Sequence, residues 1–457
     1  MKGSARGSAV SSSLPRVVAA SLIGTTIEWY DYFLYGTAAA LVFGKLFFPN
    51  TDPLTGTLLS FLTYAIGFAA RPIGALVFGH FGDRVGRKKL LVVSLLLMGG
   101  STTAIGLLPT YDSVGVAAPV LLTALRLVQG FALGGEWGGA VLLVSEHGDQ
   151  RRRGFWASWP QGGAPAGNLL AAGVLSLMTA VQSESAFLAW GWRVPFLLSA
   201  VLVGVGMWIR LAVDESPLFR RALAAQQGRT EEKPPLVGVL RHHWREVLVA
   251  MGARMAENIS YYVMTTFVLT YAVTHAHFDK QSALNAVLIA SAIQFALIPL
   301  FGALSDRVGR KPVYLVGAAG VGVWAFVFFG MVDTESFGAL VLAVTVGLVF
   351  HSAMYAPQAA FFSELFATRM RYSGASIGAQ FASVAAGAPA PLIATALLKD
   401  YGSATPISVY VAIAAALTVL AVLCGRETRG QDLAEVEERG AEGRPVDGGA
   451  VGKPAVT

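Results

Sequence analysis

Charge is what this sequence has least of. Asp, Glu, Lys and Arg together make up 14% of its 457 residues, against roughly 25% in a soluble globular domain. Cysteine is nearly missing too. Cys424 stands alone, which excludes an internal disulfide, and no Cys/His cluster has metal-ligand spacing, so neither a metal nor a catalytic cofactor is expected. No cleavable signal peptide is evident, because Lys2, Arg6 and Arg16 precede an apolar run too long for a signal h-region and without a cleavage-site ending. The loops offer only Asp83 and Asp306, in basic surroundings, where a membrane-embedded transferase would need Asp-rich metal-binding clusters. An enzyme is therefore not expected.

Apolar residues fill the space that charge leaves. They account for 54% of the chain, with a mean hydropathy of +0.58. A helix needs about 20 apolar residues to cross a bilayer, and twelve runs qualify: approximately 17–44, 55–79, 90–109, 114–144, 155–180, 187–211, 246–273, 282–303, 313–332, 337–362, 373–397 and 405–424. The runs are continuous, not alternating, which predicts helices and not a barrel, since lipid forces backbone hydrogen bonds to close within the segment. The expected class is an all-α integral membrane protein of twelve transmembrane helices.

Positive charge then orients the chain. Of 34 Lys and Arg, only Lys45, Arg193, Lys280 and Lys399 fall on one face, and Arg71, Arg126 and Arg254 lie inside spans. All the others gather on the face that holds both termini. The positive-inside rule makes that face cytoplasmic, in a plasma membrane crossed many times. The basic pI is thus topological, and no nucleic-acid partner is implied. The expected organisation is a cytoplasmic segment 1–16, a six-helix half 17–211, a linker loop 212–245, a second six-helix half 246–424 and a disordered cytoplasmic tail 425–457. The tail has no sustained apolar heptad, so no coiled coil is predicted, and a monomer is expected.

The division into halves rests on a repeat. Gly79-His80-Phe81-Gly82-Asp83-Arg84-Val85-Gly86-Arg87-Lys88-Lys89 follows the second run, and Gly302-Ala303-Leu304-Ser305-Asp306-Arg307-Val308-Gly309-Arg310-Lys311-Pro312 follows the eighth. A second pair of landmarks keeps the same order: Glu146 leads to Arg153 and Glu364 to Arg371, each after the fourth run of its half. Repetition at nearly half the chain length indicates two related units.

Ionisable residues inside spans are functional candidates, because burying a charge at mid-bilayer is costly. Run 1 carries Glu28 and Asp31, which share a helical face with Tyr32 and Tyr35 at about 100° per residue. Run 2 has Arg71. Run 4 has Arg126, Gln129 and Glu136, the last flanked by four glycines. Run 7 has Arg254, Glu257 and Asn258, with Tyr261 continuing the stripe, and run 10 has His351 beside Tyr355 and Gln358. Gln161, Asn168 and Gln294 either line the same space or bond neighbouring helices. His351 reads equally as a proton carrier or as a neutral histidine satisfied by a hydroxyl. These charges concentrate in runs 1, 4, 7 and 10, the first helix of each triplet, as expected if four three-helix units line one central cavity. Four acids (Glu28, Asp31, Glu136, Glu257) face three arginines, and a surplus acid could carry a proton.

Twelve spans with Gly-x-x-x-Asp-Arg-x-Gly-Arg-Lys after the second and eighth resemble the major facilitator superfamily over about residues 16–426. Glu28-Trp29-Tyr30-Asp31-Tyr32, Arg71-Pro72-Ile73-Gly74, Gly134-Gly135-Glu136-Trp137, Trp190-Gly191-Trp192-Arg193-Val194-Pro195-Phe196 and Glu215-Ser216-Pro217 resemble its metabolite:proton symporters, whose cargoes include shikimate, α-ketoglutarate, citrate and proline or betaine. Arg126-Leu127-Val128-Gln129-Gly130 resembles the superfamily's motif associated with proton coupling. The resemblance implies alternating access. It assigns Gly79, Asp83, Arg84, Gly86, Arg87 and Lys88, with Glu146 and Arg153, to a cytoplasmic gate. In the second half the same part falls to Gly302, Asp306, Arg307, Gly309, Arg310 and Lys311, with Glu364 and Arg371. Asp83 is expected to latch onto the N-terminus of span 11, and Asp306 to play the pseudo-symmetric part. Proton-coupled symport of a small organic acid, shikimate- or dicarboxylate-like, is the expected activity. Zwitterion uptake, or efflux by the same fold, is the alternative.

Overall fold

The computed structural model describes residues 14–75, 77–78, 87–134, 150–212, 244–365, 382–387 and 389–430. Among these, twelve principal helices follow one another: α1 (Leu14–Ala38), α2 (Pro53–Ala75), α3 (Arg87–Gly106), α4 (Ala117–Leu133), α5 (Arg153–Val181), α6 (Arg193–Ala212), α7 (Trp244–Tyr262), α8 (Lys280–Val308), α9 (Arg310–Val332), α10 (Phe337–Leu365), α11 (Pro389–Tyr401) and α12 (Thr405–Cys424). Each overlaps one apolar run. Segments 1–13, 213–243 and 431–457, which contain most of the expected linker and tail, lie outside the described residues.

Local chemistry sets several boundaries. Asp52 accepts from Thr55 N at 3.0 Å and is followed by Pro53, so it caps α2. Asp279 caps α8 in the same way through Ser282 N at 2.9 Å. Both use a carboxylate to satisfy an orphan amide of the first turn. Gly309 separates α8 from α9 at φ +117, and a Cβ there would meet Glu427 Oε2 at 2.8 Å. Four π-turns widen the helices: Ala39–Phe43 after α1, Phe187–Gly191 before α6, Val263–Phe267 after α7 and Ser383–Gly387 before α11.

Among the described residues, six helices are long and apolar enough to cross a membrane unbroken (α2, α5, α8, α9, α10 and α12), and the bent pair Glu184–Gly191 and Arg193–Ile209 makes a seventh. α1 and α7 fall short because they carry Glu28 with Asp31, and Arg254 with Glu257. On the outer surface the pattern inverts that of a soluble protein, with Val201, Leu300, Val323 and Ile413 each more than half exposed. The expected runs differ from the helices mainly in length: α8 and α10 extend to Val308 and Leu365, past the limits 303 and 362 read from hydropathy. Ser305, Asp306, Ser363 and Glu364 end the apolar run without ending the helix.

Packing repeats with a six-helix offset. α1 packs on α5 and α6, α2 on α4, and α3 on α4 and α6; likewise α7 packs on α11 and α12, α8 on α10, and α9 on α10 and α12. Between the two sets, α5 lies against α8 and α10, and α2 against α11. Residues 425–430, assigned to the tail by sequence, fold back instead. Glu427 accepts from Arg310 N at 2.9 Å and Lys311 N at 3.0 Å, and Thr428 Oγ1 donates to Glu364 Oε2 at 2.7 Å.

Candidate functional site

Two buried clusters face each other across the join between the halves. In the first, Arg71 of α2 sits over the rings of Phe68 at 3.9 Å and Tyr32 at 4.7 Å. Arg126 of α4 sits over Tyr35, Tyr64 and Tyr32 at 4.5, 4.6 and 5.0 Å. Arg126 Nη1 donates to Gln129 Oε1 at 2.8 Å, and Gln129 Nε2 in turn to Thr102 Oγ1 of α3 at 2.5 Å. Ser199 Oγ of α6 donates to Asp31 Oδ1 at 2.6 Å. Asp31, Tyr32, Arg71, Arg126 and Gln129 line a cavity of about 10 Å³, near the lower limit for one water.

The polar inventory of that cavity is incomplete. Asp31 Oδ2, the hydroxyls of Tyr32 and Tyr64, Arg71 Nη2 and Arg126 Nε are buried without a hydrogen-bond partner among the described residues. Neither Arg71 nor Arg126 forms an ion pair among them. Cation–π contact with several rings holds each guanidinium in place, at about 0.5–2 kcal/mol per contact. That is less than the several kcal/mol needed to desolvate an ion.

The second cluster is balanced. Glu257 of α7 lies 3.5 Å from Arg254 Nε and 3.5 Å from His351 Nε2 of α10. It accepts from Asn258 Nδ2 at 3.0 Å and Gln358 Nε2 at 3.1 Å. Gln294 Nε2 is 2.8 Å from His351 Nδ1, so the imidazole is held between Gln294 on one side and Glu257 on the other. Of the four acids set against three arginines in the sequence, Glu136 lies outside the described residues, and the other three separate between the two clusters and α1. Glu257 is spent on Arg254 and His351 in the second half, and among the described residues lining the first-half cavity two arginines meet one acid, Asp31. Glu28 is buried on α1. Gln161 Nε2 donates to Tyr355 O at 3.2 Å and Asn168 Nδ2 to Ser291 Oγ at 3.0 Å, so both bridge the halves. Tyr261 stacks at 4.6 Å on His351.

The face bearing the repeated motif is tied together by the second copy. Asp306 accepts from Gly154 N at 2.8 Å and Phe155 N at 2.9 Å, the first amides of α5. Arg310 Nη1 donates to Asp306 at 2.7 Å, and Arg310 and Arg153 both reach the fully buried Glu364, at 3.2 and 3.0 Å. Gly302 and Gly154 meet so closely that a Cβ on either would lie 2.6 Å from the other's carbonyl oxygen. Lys311 Nζ donates to the carbonyls of Leu423 and Gly425 at 3.1 and 2.5 Å. Arg307 points away from this network and is largely exposed. On the opposite face Glu184 bridges Lys45 at 3.2 Å and Lys280 at 3.0 Å. The halves are thus joined on both faces around the two clusters.

Gly79, Asp83, Arg84, Gly86, Glu136, Glu146 and Arg371 lie outside the described residues; Arg87 and Lys88 open α3. Sequence reasoning passed over Ser199, Thr102, Tyr64, Tyr262, Glu427 and Thr428. Of these, only Glu427 and Thr428 carried a signal, a polar pair immediately after the last apolar run.

Over residues 17–233 and again over 220–439, the chain matches the sugar (and other) transporter family. It is 41% identical over 427 residues to the inner membrane metabolite transport protein YhjE of Escherichia coli (strain K12), covering 92% of this chain and 96% of that one. The shikimate transporter of the same organism is 36% identical over 416 residues, covering 91% and 95%. Among solved structures, the proton:xylose symporter XylE bound to 6-bromo-6-deoxy-D-glucose matches with a TM-score of 0.73 at 17% identity, covering 93% of this chain and 98% of that one. At that identity the likeness is one of fold.

Proposed function

The chain belongs to the sugar (and other) transporter family of the major facilitator superfamily, and from that premise we propose that it carries a small organic acid across the membrane together with protons. One observation supports this above the others. Arg71 and Arg126 line a single buried cavity, and neither is ion-paired among the described residues. Arginine grips a carboxylate by two parallel hydrogen bonds, and in a water-poor site that attraction exceeds what cation–π contact supplies. The ring faces that would receive the quaternary ammonium of a betaine are already taken by the two guanidiniums. The relatives include a shikimate transporter, whose named cargo is a hydroxylated carboxylic acid. The bare hydroxyls of Tyr32 and Tyr64 suit such a cargo.

Coupling follows from charge. With Asp31 ionised, it offsets part of the field of Arg71 and Arg126; with Asp31 protonated, both arginines are free for the cargo. Proton and carboxylate then favour each other's binding, and the coupling is reciprocal. Glu257 with His351 offers a second protonatable pair in the other half. Alternating access would open first one of the two tied faces, then the other. The Lys/Arg asymmetry makes the motif-bearing face, and both termini, cytoplasmic. Counterflow in proteoliposomes against shikimate, α-ketoglutarate, citrate, proline and glycine betaine, at two pH values, tests the proposal. Exchange of a carboxylic acid supports it; exchange of betaine alone contradicts it.

A further inference from the structure

Tyr262 ends the α-helical run of α7, belongs to the second half and is buried. Its ring nevertheless lies among first-half rings, 5.9 Å from Tyr32, 6.4 Å from Tyr64 and 6.2 Å from Phe68. These are three of the four rings over which the two guanidiniums sit: Arg71 over Tyr32 and Phe68, and Arg126 over Tyr32, Tyr64 and Tyr35. Behind Tyr262 the π-turn before α11 supplies Gly387. A Cβ there would come within 2.9 Å of both the Tyr262 ring and Asn258 Oδ1, so the seat suits glycine. The backbone widens into a π-turn directly after Tyr262, a deformation common at functional sites. The neighbouring Tyr261 lies between His351 and the first-half ring of Phe33, at 4.6 and 5.3 Å, away from the rings under the guanidiniums.

We infer that Tyr262 is a positioning residue for the cargo site: it completes, from the second half, the aromatic cage that aims Arg71 and Arg126, so the cage is whole only when the halves close. The inference rests on the reading that these arginines grip the carboxylate. Tyr32, which lies under both guanidiniums, and Phe68 and Tyr64, which each lie under one, are held on one side by their own half and on the other by Tyr262. Separating the halves removes that wall, loosens the cage and weakens the grip. Cargo affinity is thereby tied to closure without Tyr262 having to touch the cargo.

The test is counterflow of shikimate, with α-ketoglutarate in parallel, in proteoliposomes of intact transporter, with folding checked by size exclusion in detergent. Tyr262→Ala is expected to raise KM about tenfold while the maximal exchange rate stays within about twofold. Tyr262→Phe, which keeps the ring, should restore the wild-type KM. Gly387→Ala pushes on the same ring, and on Asn258, without touching the first half, and should raise KM by itself; read beside Asn258→Ala, which accounts for the Asn258 contact, it decides the matter if Tyr262→Ala does not fold. Wild-type KM in both Tyr262→Ala and Gly387→Ala overturns the inference, as does equal damage from Tyr262→Phe and Tyr262→Ala. Arg71→Ala is the control. Wild-type KM in Arg71→Ala defeats the carboxylate reading itself, whereas its loss beside an unaffected Tyr262→Ala defeats the role of Tyr262 alone.

Discussion

Asp306 of α8 holds Gly154 of α5 by a hydrogen bond of 2.8 Å between carboxylate and backbone amide, and takes the next amide, Phe155, at 2.9 Å. One side chain of the second half thus caps a helix of the first. A capping carboxylate contributes about 1 kcal/mol, helped by the helix dipole. A contact of that size holds a face closed yet yields within a transport cycle.

Asp306→Ala should therefore move the population toward the state open at the motif-bearing face by about fivefold, the equivalent of about 1 kcal/mol. Maleimide labelling of single cysteines placed on that face, in a Cys424→Ser background, measures the shift. Unchanged labelling rates would remove Asp306 from the latch.

Gly302→Ala attacks the same contact by crowding. The added Cβ would lie 2.6 Å from Gly154 O and 2.6 Å from Ser158 Oγ, closer than nonbonded carbon and oxygen can approach, so α5 and α8 must part. Labelling should rise at the motif-bearing face and fall at the other, the same signature as Asp306→Ala.

Glu364 anchors three groups, Arg153, Arg310 and Thr428. Removing one partner of a buried ion pair costs about 3–5 kcal/mol, since a charge is left uncompensated. Glu364→Ala removes the carboxylate that both arginines share, although Arg310 keeps Asp306. Arg153→Ala leaves Glu364 still matched by Arg310. The melting temperature in detergent should fall further for Glu364→Ala than for Arg153→Ala; the reverse order would mean that the arginines are otherwise solvated.

Much of this was legible in the chain. Twelve runs, the halves and the buried charges follow from hydropathy and repetition, because lipid tolerates so few alternatives. What was hidden is what depends on neighbours from far along the chain. Glu257 and Arg126 look alike as charges in apolar runs, yet Glu257 is matched by Arg254 and His351, while among the described residues Arg126 meets rings and an amide. Tyr262 has no sequence mark that separates it from an aromatic at the lipid interface. Thr428 reads as tail until Glu364, 64 positions earlier, is seen to accept its proton.

Asp52 provides a pH-dependent test at the opposite face. Hydrogen bonds from the Thr55 hydroxyl and amide, and then Lys399 at 3.6 Å, hold its carboxyl below the usual 3.8. A lowered folded-state value means its stabilisation is present above pH 3.8 and lost as pH falls through that lower value. Thermal melts of wild type and Asp52→Asn should differ by a constant small amount at neutral pH and converge only in acid below about pH 4. A gap that closes near neutrality would assign it to another group.

The central claim, that proton and carboxylate enter one site built on Arg71, Arg126 and Asp31, is tested most directly by accumulation in proteoliposomes under an inward proton gradient. The carboxylic acid that scores in counterflow should accumulate above equilibrium, lose that accumulation with a protonophore, and fail to accumulate in Arg126→Ala. In Asp31→Asn, uphill uptake should vanish while exchange persists. Full uphill accumulation by Asp31→Asn and Arg126→Ala, or accumulation indifferent to the protonophore, would contradict it.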